Sequence, residues 1–204
     1  MISRYTYGSC IETGAVPEKP EIEAGALPFF VVDEEQMTLT YRMAEHDRVY
    51  GLGENLRGIN KRGWIYESKC TDDPNHMEEK RSLYAAHNFF VVDGSETFGV
   101  FVDYPGIVSF DIGYTKMEEL KIQASDWNLD VYVITGMDVK DIVKQFRKMI
   151  GRSYIPPLWA FGYGQSRWGY RSEDDVREVV KAYRDLQIPL DSVYLDIDYM
   201  ERYK

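Results

Sequence analysis

Aromatic and acidic side chains stand at the ends of two short apolar stretches of the chain. Arg167 and Trp168 close the first stretch, and Asp196 and Asp198 close the second. An indole ring can cover the apolar C–H face of a pyranose, and a carboxylate can accept hydrogen bonds from sugar hydroxyls. These residue types favour sugar binding over phosphate binding. On the residues alone, a packing role for Trp168 is an equally good interpretation.

The two acids of the second stretch alternate with apolar residues. In a β-strand, Asp196 and Asp198 lie on one side and Ile197 lies on the other. Buried carboxylates must find partners. We therefore expect one acid to meet sugar hydroxyls and the other to pair with a base such as Arg167.

A helix is predicted between the two stretches. Ser172 is a good N-cap with Asp175 three residues later, and Pro189 is expected to stop the helix. Its predicted apolar face comprises Val176, Val179, Val180 and Tyr183. Such a short connection predicts adjacent parallel strands with a right-handed crossover, whose carboxyl ends face the same side.

The first two thirds of the chain show a different pattern. About thirty initial residues have no clear period, which predicts a lead-in with little regular structure. Regularly spaced strands without intervening helices predict an antiparallel β-sandwich, with Asp93, Gly94 and Ser95 as a hairpin connector. The predicted strands are residues 37–43, 88–92, 98–104, 107–112, 120–124 and 129–134.

The architecture changes at Gly136. Asp138 is expected to cap a helix that Gly151 ends. The apolar face predicted for this helix comprises Val139, Ile142, Val143, Phe146 and Ile150. We predict a sandwich domain over residues 1–136, a linker helix and its exit over 137–155, and a third region over 156–204.

Composition narrows the classes of function. Thirty-four acidic against 24 basic residues give a net charge of −10, which disfavours nucleic acid and anionic membranes as partners. Cys10 and Cys70 form no disulfide framework, and three scattered histidines predict no metal site. With no apolar run of transmembrane length and no signal-peptide pattern at the start, the expected location is the cytoplasm.

Four collinear segments resemble glycoside hydrolase family 31, the family of the α-glucosidases. They are residues 50–54, 129–136, 156–170 and 196–200, and they span about three-quarters of the sequence. The resemblance implies a β-sandwich followed by a (β/α)8 barrel, here only its first β-α-β. It also implies retaining, exo-acting hydrolysis of terminal α-linked glucose from oligosaccharides, without a cofactor.

The resemblance also implies roles for individual residues. Trp168 and Asp196 become substrate contacts, while Arg167 and Asp198 support them. In the family, a loop of the N-terminal domain brings an Asp to the substrate. Residues 58–87 form a long polar segment of this kind, in which Asp72 fits the pattern better than its neighbour Asp73. Asp73 precedes a proline and is also consistent with a turn residue. Glu54, in a family motif, is expected to be structural.

The catalytic nucleophile and the acid/base of the family lie beyond the second barrel strand, downstream of Lys204. We therefore expect the 204-residue chain alone to be inactive. Two other readings stay open: a non-catalytic carbohydrate-binding β-sandwich module, and a pure assembly or interaction protein whose contact surface would be an exposed, incomplete barrel edge. Self-association into a homo-oligomer is a separate expectation. The sequence leaves the choice between α-1,4 and α-1,6 linkages, and between glucose and xylose, undecided.

Overall fold

The computed structural model describes residues 1–201, and the chain divides into two compact units, Met1–Arg152 and Ser153–Lys204. The first unit is built almost entirely from antiparallel strands. They are β1 (Ile2–Tyr7), β2 (Phe30–Asp33), β3 (Thr38–Arg42), β4 (Arg48–Gly51), β5 (Trp64–Glu67), β6 (Phe89–Asp93), β7 (Thr97–Asp103), β8 (Val108–Ile112), β9 (Glu119–Ala124) and β10 (Leu129–Thr135).

These ten strands form two five-stranded sheets. One sheet has the order β1-β10-β7-β6-β4, and the other has the order β2-β3-β9-β8-β5. All neighbouring pairs are antiparallel, and β6 and β7 form the predicted hairpin, with Asp93 opposite Thr97. The six strands predicted from the sequence are confirmed. Four further strands, β1, β2, β4 and β5, were not predicted.

One hydrophobic cluster contains buried residues of both sheets. Strand β8 shows the alternation that produces it, because Val108, Phe110 and Ile112 are buried while Ser109 and Asp111 are only partly so. Strand β10 is instead buried over nearly its whole length. The first sheet is therefore covered on both faces.

Helix α1 (Val139–Met149) packs against the other face of the first sheet. Asp138 caps it as predicted, with its side chain accepting a hydrogen bond from the Asp141 N–H. Phe146 stacks on Phe89 of β6 with ring centroids 3.8 Å apart. Gly151, at φ +95°, follows the helix end in the left-handed conformation that glycine adopts most easily.

The prediction for the face of α1 was wrong at one position. Val143 is exposed, whereas Met149, which was not predicted, is buried. A one-residue error of this kind arises because the helix buries a narrow stripe of Ile142, Phe146 and Met149 rather than a broad face.

The lead-in is tied to the first sheet and is not structureless throughout. Strand β1 pairs with β10 in register from Ile2 opposite Ile134 onward. Residues 8–29 contain only an isolated bridge between Ile22 and Arg4. The prediction of little regular structure holds for that part and was wrong for β1.

Two buried carboxylates hold the lead-in against the first sheet. Asp130 of β10 is fully buried and lies 2.9 Å from Arg4 Nη2, 2.5 Å from Thr6 Oγ1 and 3.5 Å from Lys19 Nζ. Its cross-strand partner Asp103, on β7, is also buried and accepts a hydrogen bond from the Thr13 hydroxyl. Over residues 8–29, order thus comes from side-chain contacts such as those of Thr13 and Lys19 rather than from a ladder of backbone hydrogen bonds.

The second unit contains a β-α-β arrangement. Its strands β11 (Gly164–Arg167) and β12 (Ser192–Leu195) are parallel neighbours, and helix α2 (Glu173–Asp185) connects them. Ser172 and Asp175 form the full capping box. The four half-buried positions of α2 are the predicted Val176, Val179, Val180 and Tyr183.

Two details of this unit differ from the prediction. Residues Leu158–Phe161 form a short 3₁₀ helix, so the strand before Trp168 is only four residues long. Helix α2 ends at Asp185, with Gln187 at φ +55°, and therefore stops before Pro189 is reached.

Candidate functional site

Trp168 and Asp196 follow equivalent ends of two paired strands. Arg167, the last residue of β11, is in register with Leu195, the last residue of β12. The next residue of each strand is therefore Trp168 or Asp196, and neighbouring strands lie about 5 Å apart. The prediction that these carboxyl ends share one edge is confirmed. Both side chains are exposed, Trp168 by 69%.

Asp198 has a different setting from the predicted one. Strand β12 ends at Leu195, so Asp196 and Asp198 lie in the following turn, where strand alternation does not apply. The Asp198 carboxylate is 12% exposed, and one of its oxygens lies 3.6 Å from Arg171 Nε. The base that pairs with this acid is thus Arg171. Arg167, for which the pairing was predicted, is exposed.

The segment that carries Asp72 and Asp73 is a long loop between β5 and β6, which we call the Asp72 loop (residues 68–88). Asp73 forms an ion pair with Lys80, and its other oxygen accepts the Asn75 N–H at 2.9 Å. The Lys80 ammonium and the Asn75 N–H lower the pKa of Asp73. Asp73 therefore serves the internal structure of the loop.

Asp72 itself is exposed. Desolvation and, after it, the charge of Asp72 raise the pKa of the Tyr84 phenol. Asp72 and Tyr84 are thus neighbours on the loop, and the carboxylate of Asp72 is accessible to solvent.

Glu54 binds the backbone of the Asp72 loop near its C-terminal end. Its backbone N–H donates to the Ala85 carbonyl at 2.7 Å, and its carboxylate accepts the Ala85 N–H at 3.1 Å. Gly53 allows this approach, because a Cβ there would lie 2.3 Å from the Ala85 oxygen. The structural role expected for Glu54 agrees with these contacts.

Arg57 was not singled out from the sequence. Its guanidinium is almost fully buried and donates to three backbone carbonyls, those of Ile65, Glu78 and Glu79, at 2.6–3.1 Å. The rings of Trp64 and Tyr66 lie 4.2 and 4.9 Å from its Cζ atom. The sequence signal that could have indicated this site is an arginine followed, in the next strand, by the two aromatic residues Trp64 and Tyr66.

Other kinds of site find no support in the part of the chain that the structure describes. Over residues 1–201, no three His, Cys, Asp or Glu side chains are grouped as metal ligands. Within the same residues, no helix has the length and apolar character required to cross a bilayer.

Comparisons with known proteins agree with the architecture. Residues 27–111 match the glycosyl hydrolase 31 N-terminal galactose mutarotase-like domain, and residues 153–204 match the glycosyl hydrolases family 31 TIM-barrel domain. The two models together cover more than half of the sequence. The chain belongs to glycoside hydrolase family 31.

Individual relatives come from several specificities of that family. Alpha-glucosidase 2 of Bacillus thermoamyloliquefaciens is 37% identical over 164 residues, which are 79% of this chain and 21% of the relative. An alpha-xylosidase of Saccharolobus solfataricus is 31% identical over 166 residues, covering 80% of this chain and 22% of the relative.

Among solved structures, a Flavobacterium johnsoniae family 31 dextranase in complex with isomaltotriose superposes with a TM-score of 0.75 at 28% identity. The match covers 86% of this chain and 21% of the dextranase. The chain thus spans about a fifth of the length of these relatives.

Proposed function

We propose that the chain is the N-terminal part of a retaining, exo-acting α-glucosidase that removes terminal α-linked glucose from oligosaccharides. Its first unit is the N-terminal sandwich, and β11, α2 and β12 are the first β-α-β of a (β/α)8 barrel. The observation that carries the proposal is the pairing of Trp168 with Asp196 at one strand edge. In such barrels, the carboxyl ends of the strands build the active site.

Each of the two residues has a role that suits its chemistry. The exposed indole of Trp168 offers an apolar face to the C–H surface of a sugar ring. Asp196 offers a carboxylate that accepts hydrogen bonds from hydroxyls, and charged acceptors make the stronger bonds of this kind. Asp198, held by Arg171, supports the turn that presents Asp196.

Asp72 is proposed as a further sugar contact. The family resemblance suggests an acid on this loop, and the contacts of Asp73 with Lys80 and Asn75 leave Asp72 as the better candidate. Replacing Asp72 or Asp196 by asparagine is expected to raise KM by about tenfold or more, as for the loss of a hydrogen bond to a charged group.

The bond-breaking chemistry is assigned to residues outside this chain of 204. In retaining hydrolysis, one carboxylate forms a glycosyl-enzyme, and a second protonates the leaving oxygen and then activates water. The family resemblance assigns both groups to later barrel strands. The relatives include an α-glucosidase, an α-xylosidase and a dextranase, which supports an α-glycoside oligosaccharide as the substrate class.

Hydrolysis of p-nitrophenyl α-glucoside tests the proposal. The assay compares the 204-residue chain with the same gene product extended to its natural stop codon. Turnover by the longer protein alone is the expected result. Comparable turnover by the short chain would mean that the catalytic acids lie within its 204 residues. If neither protein hydrolyses the substrate, the carbohydrate-binding alternative is favoured. A cytoplasmic location and self-association stay predictions.

A further inference from the structure

The geometry points to Arg57 as the residue that positions the Asp72 loop for sugar binding. The inference rests on the proposed function, because it assumes that Asp72 contacts substrate. It assigns a role to a residue that touches neither a sugar nor Asp72 directly.

Strand β5 holds the Arg57 side chain in place. Its guanidinium lies over the Trp64 and Tyr66 rings of β5, and one nitrogen donates to the Ile65 carbonyl of the same strand at 2.6 Å. A planar set of donors that also lies over aromatic rings suits arginine better than lysine. The contacts with β5 therefore hold the Arg57 side chain in a fixed position on the sheet.

The remaining donors of Arg57 reach the Asp72 loop. Nε donates to the Glu78 carbonyl at 2.8 Å, and Nη2 donates to the Glu79 carbonyl at 3.1 Å. Both oxygens belong to exposed residues of a loop without regular secondary structure. Two successive carbonyls bound by one planar group fix the position and the direction of that stretch of backbone.

From this anchor, a short path leads to Asp72. Lys80 follows Glu79 in the chain, and its ammonium forms the ion pair with Asp73. Asp73 is the immediate neighbour of Asp72. The path of Arg57, Glu79, Lys80 and Asp73 is thus continuous in hydrogen bonds and covalent bonds, as a physical coupling requires.

A control residue with similar contacts lies elsewhere in the same unit. Arg62 also donates to backbone carbonyls, those of Ala44, Glu45, Asp47 and Met117, at 2.7–3.1 Å. None of these carbonyls belongs to the Asp72 loop. Arg62→Lys therefore reproduces the loss of a guanidinium clamp without disturbing the path to Asp72.

The test uses the full-length enzyme with Arg57→Lys, Asp72→Asn, the double variant and Arg62→Lys. We expect Arg57→Lys to raise KM about three- to tenfold with a smaller change in kcat, since it costs part of one charged hydrogen bond. In the Asp72→Asn background, the same substitution should add nothing further, because the contact it positions is already lost. Arg62→Lys should leave KM unchanged.

Two outcomes overturn the inference in distinguishable ways. If Asp72→Asn raises KM and Arg57→Lys is neutral or adds independently, Arg57 does not act through Asp72 and the proposed function stands. If Asp72→Asn itself leaves KM unchanged, the sugar contact assigned to Asp72 fails, and the role of Arg57 fails with it.

Two further measurements test the inference without using the KM of the Arg57 variant. Hydrogen exchange should be faster in Arg57→Lys at the amides of residues 70–84 and unchanged at residues 44–47. Uniform exchange in both segments would contradict a local clamp. Lys80→Gln, which cuts the path while leaving Arg57 in place, should reproduce the rise in KM, and a normal KM in that variant would also overturn the inference.

Discussion

Replacing Asp130 with asparagine removes the buried negative charge shared by Arg4 and Lys19. The Asp130 side chain has no exposed surface, while the two cations keep about a sixth of theirs. Asparagine has the same shape and can still accept a hydrogen bond from the Thr6 hydroxyl. The substitution therefore isolates the charge, and Asp103→Asn, made at the cross-strand partner, is its matched control.

The two substitutions are expected to have opposite effects. Removing one partner of a buried ion pair costs about 3–5 kcal/mol, and the partial exposure of the cations places Asp130→Asn at about 3 kcal/mol. Asp103 has no such cation partner, and its Oδ2 is buried without a hydrogen bond from the described residues. We expect Asp103→Asn to be neutral or stabilising by about 1 kcal/mol at pH 7.

The pKa directions give the dependence on pH. Burial raises the pKa of Asp130, but the ion pair with Arg4 and the hydrogen bond from Thr6 outweigh it and hold the pKa below its ordinary value. The stability contributed by Asp130 is therefore complete above the ordinary carboxyl pKa and is lost as the pH falls through the lowered one. Desolvation raises the pKa of Asp103, so ionisation of Asp103 costs stability as the pH rises.

Urea-induced unfolding of the 204-residue chain, followed by circular dichroism, measures both effects. At pH 7 the midpoint should fall for Asp130→Asn and stay or rise for Asp103→Asn. At pH 3 the difference between wild type and Asp130→Asn should shrink. Equal loss of stability in both variants, or a difference that grows in acid, would refute the assignment of the ion pairs.

Three other predictions follow from the packing and the site. Phe146→Ala should lower the free energy of unfolding by about 3–5 kcal/mol through the cavity left beside Phe89, whereas Val143→Ala, at an exposed position, should change it by less than about 0.5 kcal/mol in the same urea experiment. Ser172→Ala should cost about 1 kcal/mol of helix stability, seen as faster amide exchange at the start of α2. Trp168→Tyr in the full-length enzyme should change the ratio of rates on maltose and isomaltose, and an unchanged ratio would remove Trp168 from linkage selection.

Strands in which buried and less buried residues alternate could be predicted from the sequence, whereas the strands at the edges of the sheets could not. In β8 the alternation of Val108, Phe110 and Ile112 is visible in the residues themselves. In β4 only Val49 is buried, and in β1 all six residues are half-buried. Such edges acquire their strand conformation from a neighbour that lies far away in the sequence.

The site was predictable where it follows from strand direction. Trp168 and Asp196 come together because parallel strands end at one edge, a rule that needs only the order of the elements. The partner of Asp198 depends on a turn whose path the residue types do not specify. Arg57 binds backbone carbonyls of the Asp72 loop, which every residue carries, so the residue types do not identify the loop residues that it binds.

The pairing of β1 with β10 has a consequence for folding. Ile2 and Ile134 are opposite each other in the sheet although 132 positions separate them along the chain. During synthesis β1 emerges first and must wait for β10, and contacts with such long separations form slowly. Until β1 docks, the apolar residues Val131, Tyr132 and Val133 present an unpaired strand edge that can recruit other chains. Strand β1 is thus a protective cover for a strand that is made much later, and its late docking defines an interval in which the edge of β10 is open to other chains.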